Sequence, residues 1–429
     1  MARVVLIVSA FPKLSESFLF GKFRGLREAG WDVSVVCKRS DSAEWNRFGG
    51  VDASGGLRRR VRVAWPQRRR WLAAALLPAA VIRCLARNPR GTWRYLRGGG
   101  ERVRPGVFRR LYLDAELVCA KPDVIHFEFG PMAVGRMHLG RVLGCKTVVS
   151  FRGYDLNAVG LSDPDYYREV WEQADTIHFL GEDLWRRARE RGCPPGKEHV
   201  LIPPAIDESF FDPRAAGGRD PATLVAAPGL LSILSVGRLD WRKGYEHALS
   251  ALRRLKDRGV PLEYRIVGDG DYLEAVAFAR HQLGLDEEVT LLGARPKEEV
   301  RDEMLRADVF LHPAVSEGFS NAVLEAQAME LPVVCTDAGG LPENVADGES
   351  GFVVPRRDPT ALAERLETLA RDPALRRRMG EAGRRRVMAR FRLTEQVAAF
   401  GELYQRLVEG RRPGRTEGSD REVRAVPAS

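Results

Sequence analysis

Two glutamates, Glu317 and Glu325, frame the stretch with the most chemical promise. Glu317 follows the apolar run DVFLH (Asp308–His312) and Pro313, which places it in a loop after a buried strand. Ser320 is positioned to cap a helix from about Asn321 to Glu330, so Glu325 falls one to two turns inside it. Pro332 ends that helix before a second apolar run, Val333–Cys335. The backbone N–H groups between the two carboxylates open toward free space at the positive end of a helix dipole. Such an arrangement binds an anion, and a diphosphate suits it.

The elements that must position this stretch alternate regularly. Apolar runs at Leu231–Val236, Leu262–Val267 and Val289–Leu292 precede it, with loops and helix-forming segments between them. Upstream, Val4–Val8, Val33–Cys37, Asp175–Leu180 and runs within Pro122–Gly130 and Cys145–Leu156 repeat the pattern. Strand, helix, strand at this spacing predicts an α/β fold of doubly wound parallel sheets. The turns after the strands then open into the ligand crevice. The GDGD turn at 268–271 is not a GxGxxG fingerprint, so a nicotinamide cofactor is not indicated.

At 429 residues the chain has room for two domains. Its six cysteines show no CxxC spacing, which argues against a zinc site or a disulfide framework and fits a reducing cytosol. The start, MARVVLIVSAFP, reads as a first strand and not a signal peptide. No apolar stretch reaches the roughly 18 residues of a spanning helix. The net charge of +10 is local: 16 arginines, no lysine and two acids lie between Arg58 and Asp114. Trp65, Trp71, Trp93 and Tyr95 are interleaved with them, around the apolar run WLAAALLPAAVIRCLA, which Pro78 and Arg83 interrupt. Arginine with tryptophan around a short apolar run suits the headgroup layer of an anionic membrane. Ordinary helices with solvated faces are the plainer reading. Nucleic acid is not expected as a partner, because no zinc finger, RNP-like or helix-turn-helix signal is present.

A glutamate, then GFSN, then a second glutamate, closed by PVV and GG, resembles the donor-site motif of glycosyltransferase family 4. FPKLSESF near the start resembles the opening of its exopolysaccharide (colanic-acid-type) members. The resemblance runs to about residue 409 and is strongest over 231–355. It implies retaining transfer from a nucleotide sugar, a UDP-sugar by family habit. It also implies the GT-B fold: two Rossmann-like doubly wound domains facing a central cleft, with C-terminal helices crossing back. The implied divisions are an acceptor-binding domain at 1–205 with an arginine-rich insertion at about 57–115, a linker at 206–229, and a donor-binding domain at 230–387. A crossing helix at 388–409 and a disordered tail at 410–429 complete them.

Carried onto this sequence, the family's pattern has Glu317 touch the donor sugar and Glu325 hold the ribose. Gly318, Phe319, Ser320 and Asn321 then line the donor site. GRLDWRKG resembles the family's phosphate-binding segment. It supplies Gly237 and the cations Arg238 and Lys243, which neutralise the leaving diphosphate in place of a divalent metal. Neither metal nor cofactor is therefore expected. The loop Gly293–Pro296, with Arg295, lies under the base. On the acceptor side stand Ser15, Glu16 and Ser17, although helix capping is the other reading of either serine. His126 and Asp155 match a strand-end histidine and the aspartate of a His-Gly-x-Asp. Arg152 stands where histidine is usual; always charged, it could hold the diphosphate or an acidic acceptor. The acceptor expected is a lipid-linked glycan or a soluble small molecule, and the location cytoplasmic with peripheral membrane contact. A GT-B epimerase, a phosphorylase and a non-catalytic binding protein are the competing readings.

Overall fold

The computed structural model describes residues 2–13, 16–48, 56–66, 70–98, 106–214 and 229–410. Ser15, the linker segment 215–228 and the tail from 411 onward lie outside the described residues.

Two parallel sheets organise the chain. The first contains β1 (Arg3–Ala10), β2 (Asp32–Arg39), β3 (Val61–Val63), β4 (Val124–Phe127), β5 (Lys146–Phe151), β6 (Thr176–Phe179) and β7 (His199–Leu201). Its spatial order is β3-β2-β1-β4-β5-β6-β7. The second contains β8 (Leu231–Val236), β9 (Leu262–Val267), β10 (Val289–Gly293), β11 (Val309–His312), β12 (Val333–Thr336) and β13 (Gly351–Val354). Its order is β10-β9-β8-β11-β12-β13. Strand order reverses between β1 and β4, and again between β8 and β11. Crossover helices diverge at such a point and leave a crevice beyond the strands' C-terminal ends. The loops carrying Arg238, Lys243 and Glu317 leave β8 and β11 at that end.

Both faces of each sheet are covered, as all-parallel sheets require. Val5, Ile7, Ile125 and Phe127 face one core of the first sheet, and Val4, Leu6 and Val8 face another. The C-terminal helix Leu393–Glu409 closes the second of these with Val397, Phe400, Leu403 and Tyr404. Burying the first three contributes about 1.5–3 kcal/mol each. Gly25 in the helix Ser17–Glu28 lets it dock closely, since a Cβ there would lie 2.6 Å from a Val397 methyl. The crossing point is stitched by Ile206 N–H to Phe391 O (3.0 Å) and Leu393 N–H to Ile206 O (3.1 Å). The expected return of the C-terminal helices to the first half is thus present.

The arginine-rich stretch supplies edge strand β3 and the crossover to β4, through helices Arg70–Arg87, Pro89–Leu96 and Val107–Ala120. The first of these helices runs through Pro78 for 18 residues. Proline removes the hydrogen bond to the carbonyl four residues earlier. Here that residue is Ala74, and both Ala74 and Pro78 are exposed, so water can take the place of the lost donor.

Candidate active site

The loop after β8 and the loop after β11 are locked together. Val315 N–H donates to Arg242 O at 2.8 Å, and Gly244, at φ +64°, lies under Pro313 O where a Cβ would stand 2.3 Å away. This brings Lys243 Nζ to 2.5 Å from Glu317 Oε2. His312, the last residue of β11, reaches the same oxygen with Nε2 at 3.2 Å. A carboxylate can only accept, so the imidazole donates. Burial opposes charge on Glu317, but Lys243 and the His312 hydrogen bond outweigh it and hold the carboxyl at about 2. Burial, with Lys243 assisting, lowers the His312 pKa and keeps the ring neutral. Sequence reasoning missed His312; its only signal was its position as the last residue of the strand entering the motif.

Arg238 is exposed on the same loop and makes no ion pair among the described residues. Gly237 N–H continues the ladder to Val267 O at 2.9 Å, and Gly268 and Gly270 press the next turn onto Gly237 O and Leu239 O. The GDGD turn is therefore a support for the cation loop. Arg242 pairs with Asp240 at 2.5 Å and lies 5.1 Å from the Tyr154 ring of the first half.

Ser320 caps the helix Asn321–Ala328, accepting from Val323 N–H at 3.4 Å. Asn344 accepts the Ser320 N–H (3.1 Å) and donates to its carbonyl (3.0 Å). Gly318 N–H is taken by Glu317 Oε1 at 3.2 Å. The expected run of free donors from Gly318 to Asn321 is thus shortened: the first-turn N–H groups of Asn321 and Ala322 are the ones with no acceptor within the helix. Phe319 packs its ring on both halves' cores and meets Phe391 edge-on, so its side chain serves the interface. Glu325 has no side-chain partner among the described residues. Burial raises its pKa, and Lys297 partly offsets this. Arg295 is exposed and pairs with Glu299 at 3.2 Å.

The first half departs from expectation. His126 is fully buried, not cleft-facing. Its Nδ1 meets Tyr404 Oη (2.7 Å) and its Nε2 meets Ser150 Oγ (2.6 Å), which continues to His178. Burial, then Lys22 and Arg152, keep it neutral. Asp155 is also interior: one carboxylate oxygen accepts from Arg152 N–H (3.0 Å) and Gly130 N–H (3.1 Å). Burial pushes its pKa up to about 6 against those hydrogen bonds. Arg152 is committed to Glu128, at 3.1 Å, and lies over the Phe18 ring at 4.2 Å, so it is not free for a diphosphate. Glu128 is fully buried between Arg152 and Lys22 (2.6 Å) and was not legible in the sequence. Glu16 pairs with Lys13 at 2.7 Å, and Ser17 opens the helix Ser17–Glu28.

The two halves meet at these loops. Asn157 Nδ2 donates to Ser316 Oγ at 3.1 Å, and the Glu343 carboxylate accepts from Glu182 and Asp183 N–H, both at 2.9 Å. Two facing doubly wound halves with paired cations and carboxylates at their junction define a GT-B glycosyltransferase. Residues 21–204 match the model described as glycosyl transferase 4-like domain, and 222–386 the one described as glycosyl transferases group 1. The chain belongs to the group 1 (family 4) glycosyltransferases. A Salmonella typhimurium protein named as a colanic acid biosynthesis glycosyltransferase, WcaL, is 31% identical over 400 residues, covering 86% of this chain and 91% of its own. In fold, a Rickettsia africae glycosyltransferase superposes with a TM-score of 0.71 at 16% identity, covering 95% and 99%. Anabaena HepE, solved with UDP and glucose, gives 0.69 at 15% identity, covering 94% and 100%.

Proposed function

We propose that the protein transfers a sugar from a nucleotide sugar, with a UDP-sugar as donor, to a hydroxyl of a surface-polysaccharide intermediate, retaining anomeric configuration. The observation that carries this reading is Lys243 held at 2.5 Å from Glu317, with exposed Arg238 on the same loop. The name of the Salmonella relative supports a polysaccharide product, and the HepE ligands support a UDP-sugar.

In this reading Arg238 and Lys243 balance the charge of the departing diphosphate, the role a divalent metal fills elsewhere. A cation within about 4 Å of a phosphate oxygen in a closed cleft supplies several kcal/mol. The first-turn N–H groups of Asn321 and Ala322 add to this. Glu317 accepts from sugar hydroxyls and places the anomeric carbon. Glu325, half-buried and without a side-chain partner among the described residues, accepts from the ribose hydroxyls. The acceptor hydroxyl attacks on the face the diphosphate leaves: the anomeric carbon–phosphate oxygen bond breaks, the new glycosidic bond forms, and the leaving phosphate takes the hydroxyl proton. A trapped glycosyl-enzyme adduct would overturn that step.

The acceptor is lipid-linked in this reading. The arginine-rich crossover exposes Trp71 (65%), Ile82 (66%), Trp93 (56%) and Phe108 (47%), apolar groups set among cations. That composition suits an anionic bilayer surface reached from the cytoplasmic side. No helix among the described residues is long and apolar enough to cross a membrane.

The test is a screen of nucleotide sugars for acceptor-dependent release of nucleoside diphosphate, with and without anionic vesicles. UDP release that needs acceptor, with a retained anomer, is expected. Sugar conversion without acceptor would indicate an epimerase instead, and inertness toward every donor a binding protein.

A further inference from the structure

Two thiols in the arginine-rich crossover take no part in the chemistry above. Cys84 lies near the end of the helix Arg70–Arg87 and Cys119 near the end of Val107–Ala120. Their sulfurs are 3.8 Å apart. Cys84 is wholly buried, whereas Cys119 is 7% exposed and lines two adjacent surface cavities of about 320 and 280 Å³. Arg59, Arg62, Arg83 and Arg87 surround it in the larger one.

We propose that Cys84 and Cys119 form an oxidation-sensitive dithiol that reacts with low-molecular-weight disulfides. The arginines draw in the anionic disulfide. The Cys119 thiolate attacks one of its sulfurs, forming a mixed disulfide and releasing the first thiolate. The Cys84 thiol then loses its proton and attacks the Cys119 sulfur, forming the intramolecular bond and expelling the second thiolate. Two electrons pass from the protein to the small disulfide, which leaves as two thiols.

The other cysteines provide the contrast. Burial pushes the thiols of Cys37, Cys145, Cys193 and Cys335 up, away from the reactive thiolate form. The Cys119 thiol is instead pulled down by its hydrogen bond with Cys84, with Arg83 assisting against burial and Glu116. The accessible sulfur is thus the activated one and the hidden sulfur resolves it. The bond would tie together the two long crossover helices, and it stands whether or not the crossover docks on a membrane.

The full-length protein is treated with oxidised glutathione, quenched with acid, alkylated after unfolding and mapped by mass spectrometry. The expected result is a Cys84–Cys119 bond with the other four thiols alkylated. Cys84→Ser should stop at glutathione on Cys119. In brief labelling of the reduced native protein with iodoacetamide at pH 7, Cys119 should react at least tenfold faster than Cys37 or Cys145. A Cys119 that labels no faster, stays reduced, or keeps the mixed disulfide in the wild-type chain overturns the proposal.

Discussion

Gly153 and Gly318 meet backbone to backbone across the junction of the two halves: a Cβ on Gly153 would lie 2.6 Å from Gly318 N, and one on Gly318 would lie 2.6 Å from Gly153 Cα. The contact sets the spacing between the Arg152 loop and the Glu317 loop. Gly339 and Gly340 close on the other side, against Glu317 O and Gly318 O. The motif loop is therefore clamped between glycines of both halves.

Gly318→Ala tests that clamp. A methyl group facing backbone cannot be absorbed by a rotamer change, so the halves must separate. Turnover should fall at least tenfold while each half stays folded. Scattering and activity on the same sample check it; an unchanged radius of gyration with unchanged turnover contradicts it.

Lys243→Ala should reduce turnover about 100- to 1,000-fold, the usual cost of removing one charge-stabilising donor. The circular dichroism spectrum should be unchanged, since Lys243 ends a single three-residue turn and Glu317 sits in a loop. Turnover within a few-fold of wild type would remove Lys243 from the chemistry.

Glu317 gives a pH signature. Its folded pKa of about 2 lies below the ordinary 4.5, so the stability it contributes is present above 4.5 and is lost as pH falls toward 2. The shift corresponds to about 3 kcal/mol at neutral pH. Glu317→Gln should therefore be less stable than wild type at pH 7, and the gap should narrow in acid. Chemical unfolding at pH 7 and near pH 3 reads this; a gap that does not depend on pH contradicts it.

Asp155 has the opposite sign. Its pKa is raised to about 6, so its contribution is full below 3.8 and is lost as pH rises through 6. Asp155→Asn keeps an acceptor for Arg152 and Gly130 N–H without a charge to bury, so it should match wild type below pH 4 and be the more stable of the two at pH 7. Asp155→Ala leaves both donors unsatisfied and should cost about 1–3 kcal/mol in thermal or urea unfolding.

The acid and histidine positions show where sequence reading ends. The loops after β8 and β11 were legible because strand, loop and cap signals are local: Ser320 caps where expected, and Glu317 sits in its loop. His126 was legible as a residue near a strand end and Asp155 as one just beyond a strand, in the helix Gly153–Asn157, but neither as buried. Both faces of a parallel sheet are covered, so alternation does not tell a cleft-facing side chain from one under a helix. His126 meets Tyr404 from a helix far along the chain, and Glu128 meets Lys22 and Arg152 from two other segments. No spacing rule reports such pairings.

The most direct test of the donor-site account is a structure with the nucleoside diphosphate that the transfer assay releases. The diphosphate should lie within hydrogen-bonding distance of Arg238 and Lys243, with the ribose hydroxyls on the Glu325 carboxylate. A nucleotide bound away from all three residues would contradict it.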